Sequence, residues 1–249
     1  MTMTLTMTNE TIDELRAYGL RIIQPGAGYR FSLDPLLLCD FAGVCAGDRV
    51  IDLGAGCGII PLILARMATD AAFVGVEFQE EMAGLAARNV ALNLLQDRVE
   101  IICDDVIALR KRLPVSSFDL VVANPPYRTP GSGRISPRAG RDLARHESSA
   151  GLADFLSVAK YLVKPGGRIC IIYHVSRLTE IFAQAAILKL ALLRMRMVHA
   201  NPLAKSSMVL VELIKARKND LEVLSPLFVH DASGEYSIEM KRILEGLHA

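Results

Sequence analysis

What this 249-residue sequence lacks narrows it first. None of its five cysteines forms a CxxC pair, and no Cys/His cluster has zinc spacing, so neither a redox dithiol nor any metal site is expected. An odd count scattered through apolar segments (Cys39, Cys45, Cys57, Cys103, Cys170) predicts buried free thiols in a reducing compartment. The opening MTMTLTMTNE lacks the cationic and apolar regions of a signal peptide. The most apolar later segment, 181–197, is interrupted by Gln184, Lys189, Arg194 and Arg196 and is too broken to span a bilayer. A cytoplasmic protein without membrane contact is expected. A formal net charge of +1 gives no global reason to bind nucleic acid, so any basic surface must be local. There is no internal repeat and no low-complexity linker.

What is present is core material, with 51% hydrophobic and 22% charged residues, enough for one α/β domain with additions. Spacing predicts strands over 49–53, 73–77, 99–103, 118–123 and 168–174, and helices over 59–67, 79–95 and 152–163. The strands are continuous apolar runs, the pattern of a parallel sheet covered on both faces. Strands alternating with helices predict a doubly wound α/β sheet. Before it, Thr11 and Glu14 have capping-box spacing, which predicts a helix over 11–18 stopped by Gly19. A short apolar run follows at 20–23 and a turn-rich stretch at 24–28. A helix is then predicted over 31–42, with Ser32 or Asp34 as cap and Pro35 in its first turn. At the far end, 192–199, 208–214 and 221–229 read as strands with short connections, and 238–247 as a closing helix.

The first strand of the alternating region runs into IDLGAGCGII, 51–60. Asp52, Gly54, Ala55, Gly56 and Gly58 form a loop that turns tightly and lets a ligand approach the backbone, beside the free N–H groups of the next helix. A dinucleotide fingerprint would place its third glycine at 59, which is Ile59. The glycine falls one residue earlier, and the loop resembles the first motif of S-adenosylmethionine-dependent methyltransferases of the Rossmann-like class. Glu77 ends the second strand, where a carboxylate can accept from both ribose hydroxyls, and Phe78 follows it. After the third strand come Asp104, Asp105 and Val106. One of the two carboxylates could accept from a cofactor adenine amine, or cap a helix opening at Val106, and the sequence does not choose between them.

The fourth strand ends in Asn124-Pro125-Pro126-Tyr127. Adjacent prolines cannot donate to a sheet ladder, so the strand must stop there, at the edge where ligands of an open α/β sheet bind. An exocyclic amine is a poor nucleophile because its lone pair is delocalised into the ring. The Asn124 side-chain oxygen and the Pro125 carbonyl can accept both its hydrogens and turn the lone pair toward a methyl donor. The prolines hold that carbonyl still. Tyr127 can stack on a flat substrate, worth about 1–3 kcal/mol for a base on an aromatic ring. Positioning is then the main catalytic contribution, and no strong base is required. The stretch that follows, 128–147, carries Arg128, Arg134, Arg138, Arg141, Arg145 and His146 against Asp142 and Glu147 only, which favours an RNA backbone beside the pocket.

Together the glycine loop and Asn-Pro-Pro-Tyr resemble the amino-methyltransferases that act on adenine N6, guanine N2 or glutamine N5. RFSLDPLLL (30–38) and ARHE (144–147) narrow the resemblance to bacterial enzymes that methylate adenine N6 beside the anticodon of a valine tRNA. The likeness covers most of 12–215. It implies a Rossmann-like doubly wound sheet, mostly parallel, with an antiparallel C-terminal strand pair and a short N-terminal extension. It implies S-adenosyl-L-methionine as cofactor and RNA, expected to be tRNA, as partner. It also implies that Phe31, Ser32 and Asp34 line the methionine end of the cofactor, with a helix after them covering it. The extension would be 1–47 (helix, short hairpin, covering helix) and the methyltransferase domain 48–249. A glutamine-N5 enzyme usually has a larger helical domain before the loop, and a guanine-N2 enzyme often a duplicated domain; neither is seen. An RNA-binding module that merely keeps the cofactor fold would be marked by an altered Asn124, which is intact. Residues 216–249 carry no assignable motif.

Overall fold

The computed structural model describes residues 10–26, 32–126, 150–216 and 220–247. Its first element departs from expectation. Glu10–Leu15 is a strand, β1, followed by a 3-10 turn over Arg16–Tyr18 and by β2, Leu20–Pro25. The two pair antiparallel, with Ile12 opposite Ile23. The reason is not local. Ile22 and Ile23 are fully buried, so β2 is fixed in the core and presents a free edge that a helix over 11–18 would leave unpaired. Arg88 holds Glu10 through hydrogen bonds of 2.8 and 2.7 Å. The capping pattern loses to that pairing, although Gly19 does end the turn at φ +60°.

Helix α1, Asp34–Ala42, starts later than the expected 31–42 but has Pro35 in its first turn, and Leu33 rather than Ser32 or Asp34 occupies the cap. From there the alternation is regular: β3 (Arg49–Leu53), α2 (Ile59–Met67), β4 (Ala72–Glu77), α3 (Glu80–Leu92), β5 (Val99–Cys103). A 3-10 turn over Val106–Ala108 leads into α4 (Leu109–Arg112) and then β6 (Phe118–Ala123). After it come α5 (Leu152–Leu162), β7 (Val163–His174), α6 (Leu178–Ile187), β8 (Leu190–His199) and β9 (Ser206–Lys215). The chain closes with β10 (Glu222–Val223), β11 (Leu227–Phe228) and α7 (Ile238–Leu244).

In the main sheet the order is β10-β8-β9-β7-β6-β3-β4-β5, with β11 also on β8. Strands β5, β4, β3, β6 and β7 are mutually parallel. β9 is antiparallel to both β7 and β8, as expected of the C-terminal pair. The chain moves outward from β3 to β4 and β5, then returns to β6 on the other side of β3, which creates a crevice at the carboxyl ends of β3 and β6. Val50, Leu120, Val122, Cys170 and Ile172 face one core, with α1, α2 and α7; Ile51, Leu53, Val121, Ala123 and Ile171 face the other, with α5.

Two further expectations need correction, and one helix is unforeseen. The stretch 221–229 is not one strand: Pro226 cannot join a ladder, so only β10 and β11, either side of it, pair parallel with β8. The segment 181–197, read only as too broken to cross a membrane, opens inside a helix for which no expectation was made, α6 (Leu178–Ile187), of which only Ile181 and Ala185 are buried. And Cys45 and Cys103 are exposed, while Cys39, Cys57 and Cys170 are buried free thiols.

A buried ion cluster orients α1. Glu212, 1% exposed, pairs with Arg168 at 3.0 Å and with Arg194. Arg194 donates to the carbonyl of Phe41 (2.6 Å), and Arg168 to those of Ala42 (2.7 Å) and Gly43 (2.9 Å). These cations satisfy the orphan carbonyls at the C-terminus of α1, near the start of the paired part of β7. The N-terminus of α1, Asp34, therefore points toward the carboxyl ends of the parallel strands.

Candidate active site

The glycine loop is pinned from beneath. Gly54 and Ala55 both donate to the carbonyl of Val76, at 2.9 and 2.8 Å. Gly58 stands at φ +83°, and a Cβ there would lie 3.2 Å from that of Ala86 on α3, so this position needs glycine twice over. Gly75 on β4 matters as well: a Cβ would lie 2.9 Å from Ile101 and 3.1 Å from Ala55, lifting the loop.

Glu77 has a second task beside the one foreseen. Its Oε2 accepts from Gly56 N (2.8 Å) and its Oε1 from Gln79 N (2.9 Å), so it holds the loop to the start of α3. Each carboxylate oxygen keeps a further lone pair for a hydroxyl. Phe78 follows with 38% exposure, an apolar wall for a flat ring. Asp104 is engaged: Oδ1 accepts from Asp105 N (2.8 Å) and Oδ2 pairs with Arg112 (3.3 Å). Asp105 caps the 3-10 turn with Oδ1, accepting from Ile107 N at 2.8 Å, and its Oδ2 makes no hydrogen bond among the described residues. Asp105 is thus the freer acceptor. Val106 belongs to the core, which leaves its backbone as the part able to meet a ligand.

Asp52 is the anomaly of the site. It is 1% exposed, and neither carboxylate oxygen has a partner among the described residues. Burial, and next the neighbouring Glu77, push its carboxyl well above the usual range. Cys39 of α1 lies close enough to feel its charge. An unpaired buried acid under a glycine loop is what a cationic ligand would satisfy. S-adenosylmethionine, with its ammonium and sulfonium, has that chemistry, and its nucleoside end suits Glu77, Phe78 and Asp105.

Beside the loop, β6 ends at Ala123 and the chain continues as Asn124, buried Pro125 and exposed Pro126. Tyr173, 2% exposed on the adjacent β7, donates its hydroxyl to the Pro126 carbonyl at 3.3 Å. The turn is therefore held by an element 47 residues away in sequence. Ser32 Oγ accepts from Asp34 N at 3.2 Å, at the crevice-facing end of α1. Phe31, Tyr127, Arg128, Arg134, Arg138, Arg141, Arg145 and His146 lie outside the described residues.

Residues 45–223 match a family model described as a methyltransferase domain. A tRNA1(Val) (adenine(37)-N6)-methyltransferase of Porphyromonas gingivalis is 32% identical over 235 residues, covering 90% of each chain. The protein of that name in Aeromonas hydrophila is 30% identical over 205 residues, 82% of this chain and 84% of the relative. This chain belongs to that methyltransferase family.

The fold is shared more widely. An Agrobacterium tumefaciens protein described as a predicted O-methyltransferase superposes with a TM-score of 0.70 at 24% identity, over 87% of this chain and 97% of that one. The M. jannaschii tRNA m1G37 methyltransferase gives 0.59 at 18%, over 86% and 59%. The protein is an S-adenosylmethionine-dependent methyltransferase with a Rossmann-like, mostly parallel sheet. No helix among the described residues is long and apolar enough to cross a membrane, and they contain no cluster able to hold a metal ion. Sequence reasoning missed Gly75, Tyr173 and Asn89, whose side-chain NH2 donates to the Cys57 carbonyl of the glycine loop, in this methyltransferase site. Only Gly75 left a signal, a glycine inside an apolar strand.

Proposed function

We propose that this methyltransferase modifies the N6 amine of an adenine in tRNA, the base and RNA that the names of its relatives give for them, and that this adenine lies beside the anticodon. One observation carries the reading: Asn124-Pro125-Pro126 leaves β6 at the switch of strand order, next to a glycine loop with an unpaired buried carboxylate beneath it. Bound S-adenosylmethionine supplies an electrophilic methyl group on a positively charged sulfur. Asp52, Glu77, Phe78 and Asp105 would hold it, with Ser32 and Asp34 closing the methionine end.

The amine would be gripped by the Asn124 side-chain oxygen and the Pro125 carbonyl. Both hydrogens then point into acceptors, the lone pair leaves the ring plane, and the nitrogen faces the methyl carbon. What Asn124 and Pro125 contribute is the hold on the amine nitrogen, while the bound cofactor would supply the methyl group and keep the bonding pair on its sulfur. The nitrogen sheds one proton to water. Tyr173 contributes by fixing the turn through Pro126. An adenine inside a folded loop must first be extruded, and stacking on Tyr127 would hold it there. The basic stretch 128–146 is proposed to follow the RNA backbone.

The test is methyl transfer from radiolabelled cofactor to unmodified total tRNA, with nucleoside analysis. Label in N6-methyladenosine is expected. Label only in ribosomal RNA, or on a glutamine of a release factor, would keep the chemistry and overturn the substrate.

A further inference from the structure

The C-terminal stretch carries no motif, yet it builds a second recess on the working edge of the sheet. β8 runs in the same direction as β7, because β9 between them is antiparallel to both. His199, at the end of β8, therefore stands at the same edge as Asn124. β11 runs parallel to β8 and brings His230 to that edge, where its N–H donates to Ala200 O at 2.9 Å. The β8–β9 turn and the loop after β11 enclose an open cleft of about 360 Å³, lined by Asn201, Leu203, His230 and Asp231 among others. Counting strands, β8 lies three spacings from β6, about 14 Å.

The polar groups in the cleft are half used. Asn201 Oδ1 accepts from Leu203 N and Ala204 N, both at 3.0 Å, while its NH2 makes no hydrogen bond among the described residues. Asp231 Oδ1 accepts from Ser233 N (2.8 Å) and Glu235 N (3.2 Å), and Oδ2 is likewise unused. The Ser233 hydroxyl and these N–H groups hold the Asp231 carboxyl below its usual range, so it is charged at neutral pH. His230 Nδ1 faces a carbonyl, Ala200 O, at 3.1 Å and so donates to it. Its ring stacks on Tyr236, with centroids 5.1 Å apart and planes 14° apart. Leu203 is 96% exposed beside it.

A fixed carboxylate repels a phosphate. A carboxylate, an amide donor and flat apolar walls together suit the edge of a base. We infer that this cleft receives a second, unpaired base of the RNA substrate, one that presents N–H donors beside a carbonyl, as guanine does. Asp231 Oδ2 accepts from the N–H groups and Asn201 donates to the carbonyl. The base belongs to a nucleotide a short way along the strand from the target adenine. This rests on the reading that RNA is the substrate.

Asp231→Asn and Asn201→Asp test it, since each keeps the Oδ1 that the turn uses and inverts only the outward group. Steady-state transfer to transcribed tRNA should show the KM for RNA rising about 5- to 150-fold in each, from about 1–3 kcal/mol per specific base contact. The kcat at saturating RNA and the KM for the cofactor should stay at wild-type values. Leu203→Ala, a change at an exposed side chain lining the cleft, should move the RNA KM the same way and decides the matter if a swap unfolds the chain. An active wild type with an unchanged RNA KM in the variants overturns the inference alone, as does a loss confined to kcat. A wild type that methylates no RNA overturns the substrate reading, and this inference with it.

Discussion

Asn89 donates its side-chain NH2 to the carbonyl of Cys57 at 2.9 Å, which ties the middle of α3 to the glycine loop. The same amide accepts from Ile23 N (2.7 Å) and donates to Ile23 O (3.0 Å). One turn on, Asn93 repeats the pattern with Arg21 N (2.9 Å) and Arg21 O (2.7 Å). The two amides act as a surrogate strand for β2, so the N-terminal hairpin and the cofactor loop share a fastening.

Asn89→Ala would strand the N–H and carbonyl of Ile23 and the carbonyl of Cys57 in the core. The cost should be about 3 kcal/mol or more, taking about 1–3 kcal/mol for each of these three buried groups left unpaired. Urea unfolding gives the stability. Titration of cofactor should show weaker binding even where the variant is fully folded. Unchanged cofactor affinity in a destabilised protein would confine Asn89 to a structural role.

Asp52 carries a stability cost that its neutral analogue lacks. The folded state keeps the proton over a range where the unfolded chain, with its carboxyl near 4, has lost it. Wild-type stability without cofactor should therefore fall as pH rises from about 4 through the raised folded value. Asp52→Asn should lack that fall and gain stability relative to the wild type as pH rises toward neutrality, while losing cofactor affinity. Thermal melts from pH 4 to 8 with and without cofactor check both. Parallel pH profiles for the two proteins would contradict the assignment.

Asn124→Ala should remove methyl transfer and spare cofactor binding. Loss of one preorganised polar group at the reacting centre costs about 100- to 1,000-fold in rate. Single-turnover transfer and cofactor titration separate the two effects. A variant that turns over normally but binds cofactor poorly would place Asn124 on the cofactor.

Neutralising Arg138 and Arg141 together should weaken RNA binding and flatten its dependence on salt. Each phosphate left without its cation lowers the slope by about 0.7–0.9. Binding isotherms at several salt concentrations give the slope directly. The same slope in the double variant would mean that these arginines only solvate the loop.

The strands at Arg49–Leu53, Val99–Cys103 and Phe118–Ala123 were legible because each is a short apolar run bounded by polar or turn residues, and burial on both faces follows from composition alone. The loop of Gly54, Gly56 and Gly58 was legible for the same local reason. β1 was not, because Glu10–Leu15, with its charged and half-exposed residues, becomes a strand only by pairing with β2. Tyr173 reads as one more apolar strand residue until β7 is laid beside β6. That Asp104 is engaged and Asp105 the freer acceptor could not be read from sequence, because it depends on Arg112, one helix further on. α6 escaped because two buried residues in ten make a faint stripe.

The paired dipeptides β10 and β11 have a consequence for how the molecule meets copies of itself. β8 carries a row of amide and carbonyl groups along its outer side, and without a neighbour that row would be an open template for another chain. Glu222–Val223 and Leu227–Phe228 shield it at two points, and the proline between them prevents a continuous new border. Leu224→Pro with Val229→Pro, which remove the N–H groups donated to Met195 O and His199 O, should leave a fold that still binds cofactor but sticks to itself with concentration, visible as turbidity and as a growing hydrodynamic radius. The tail would then be a guard on solubility as much as a part of the architecture.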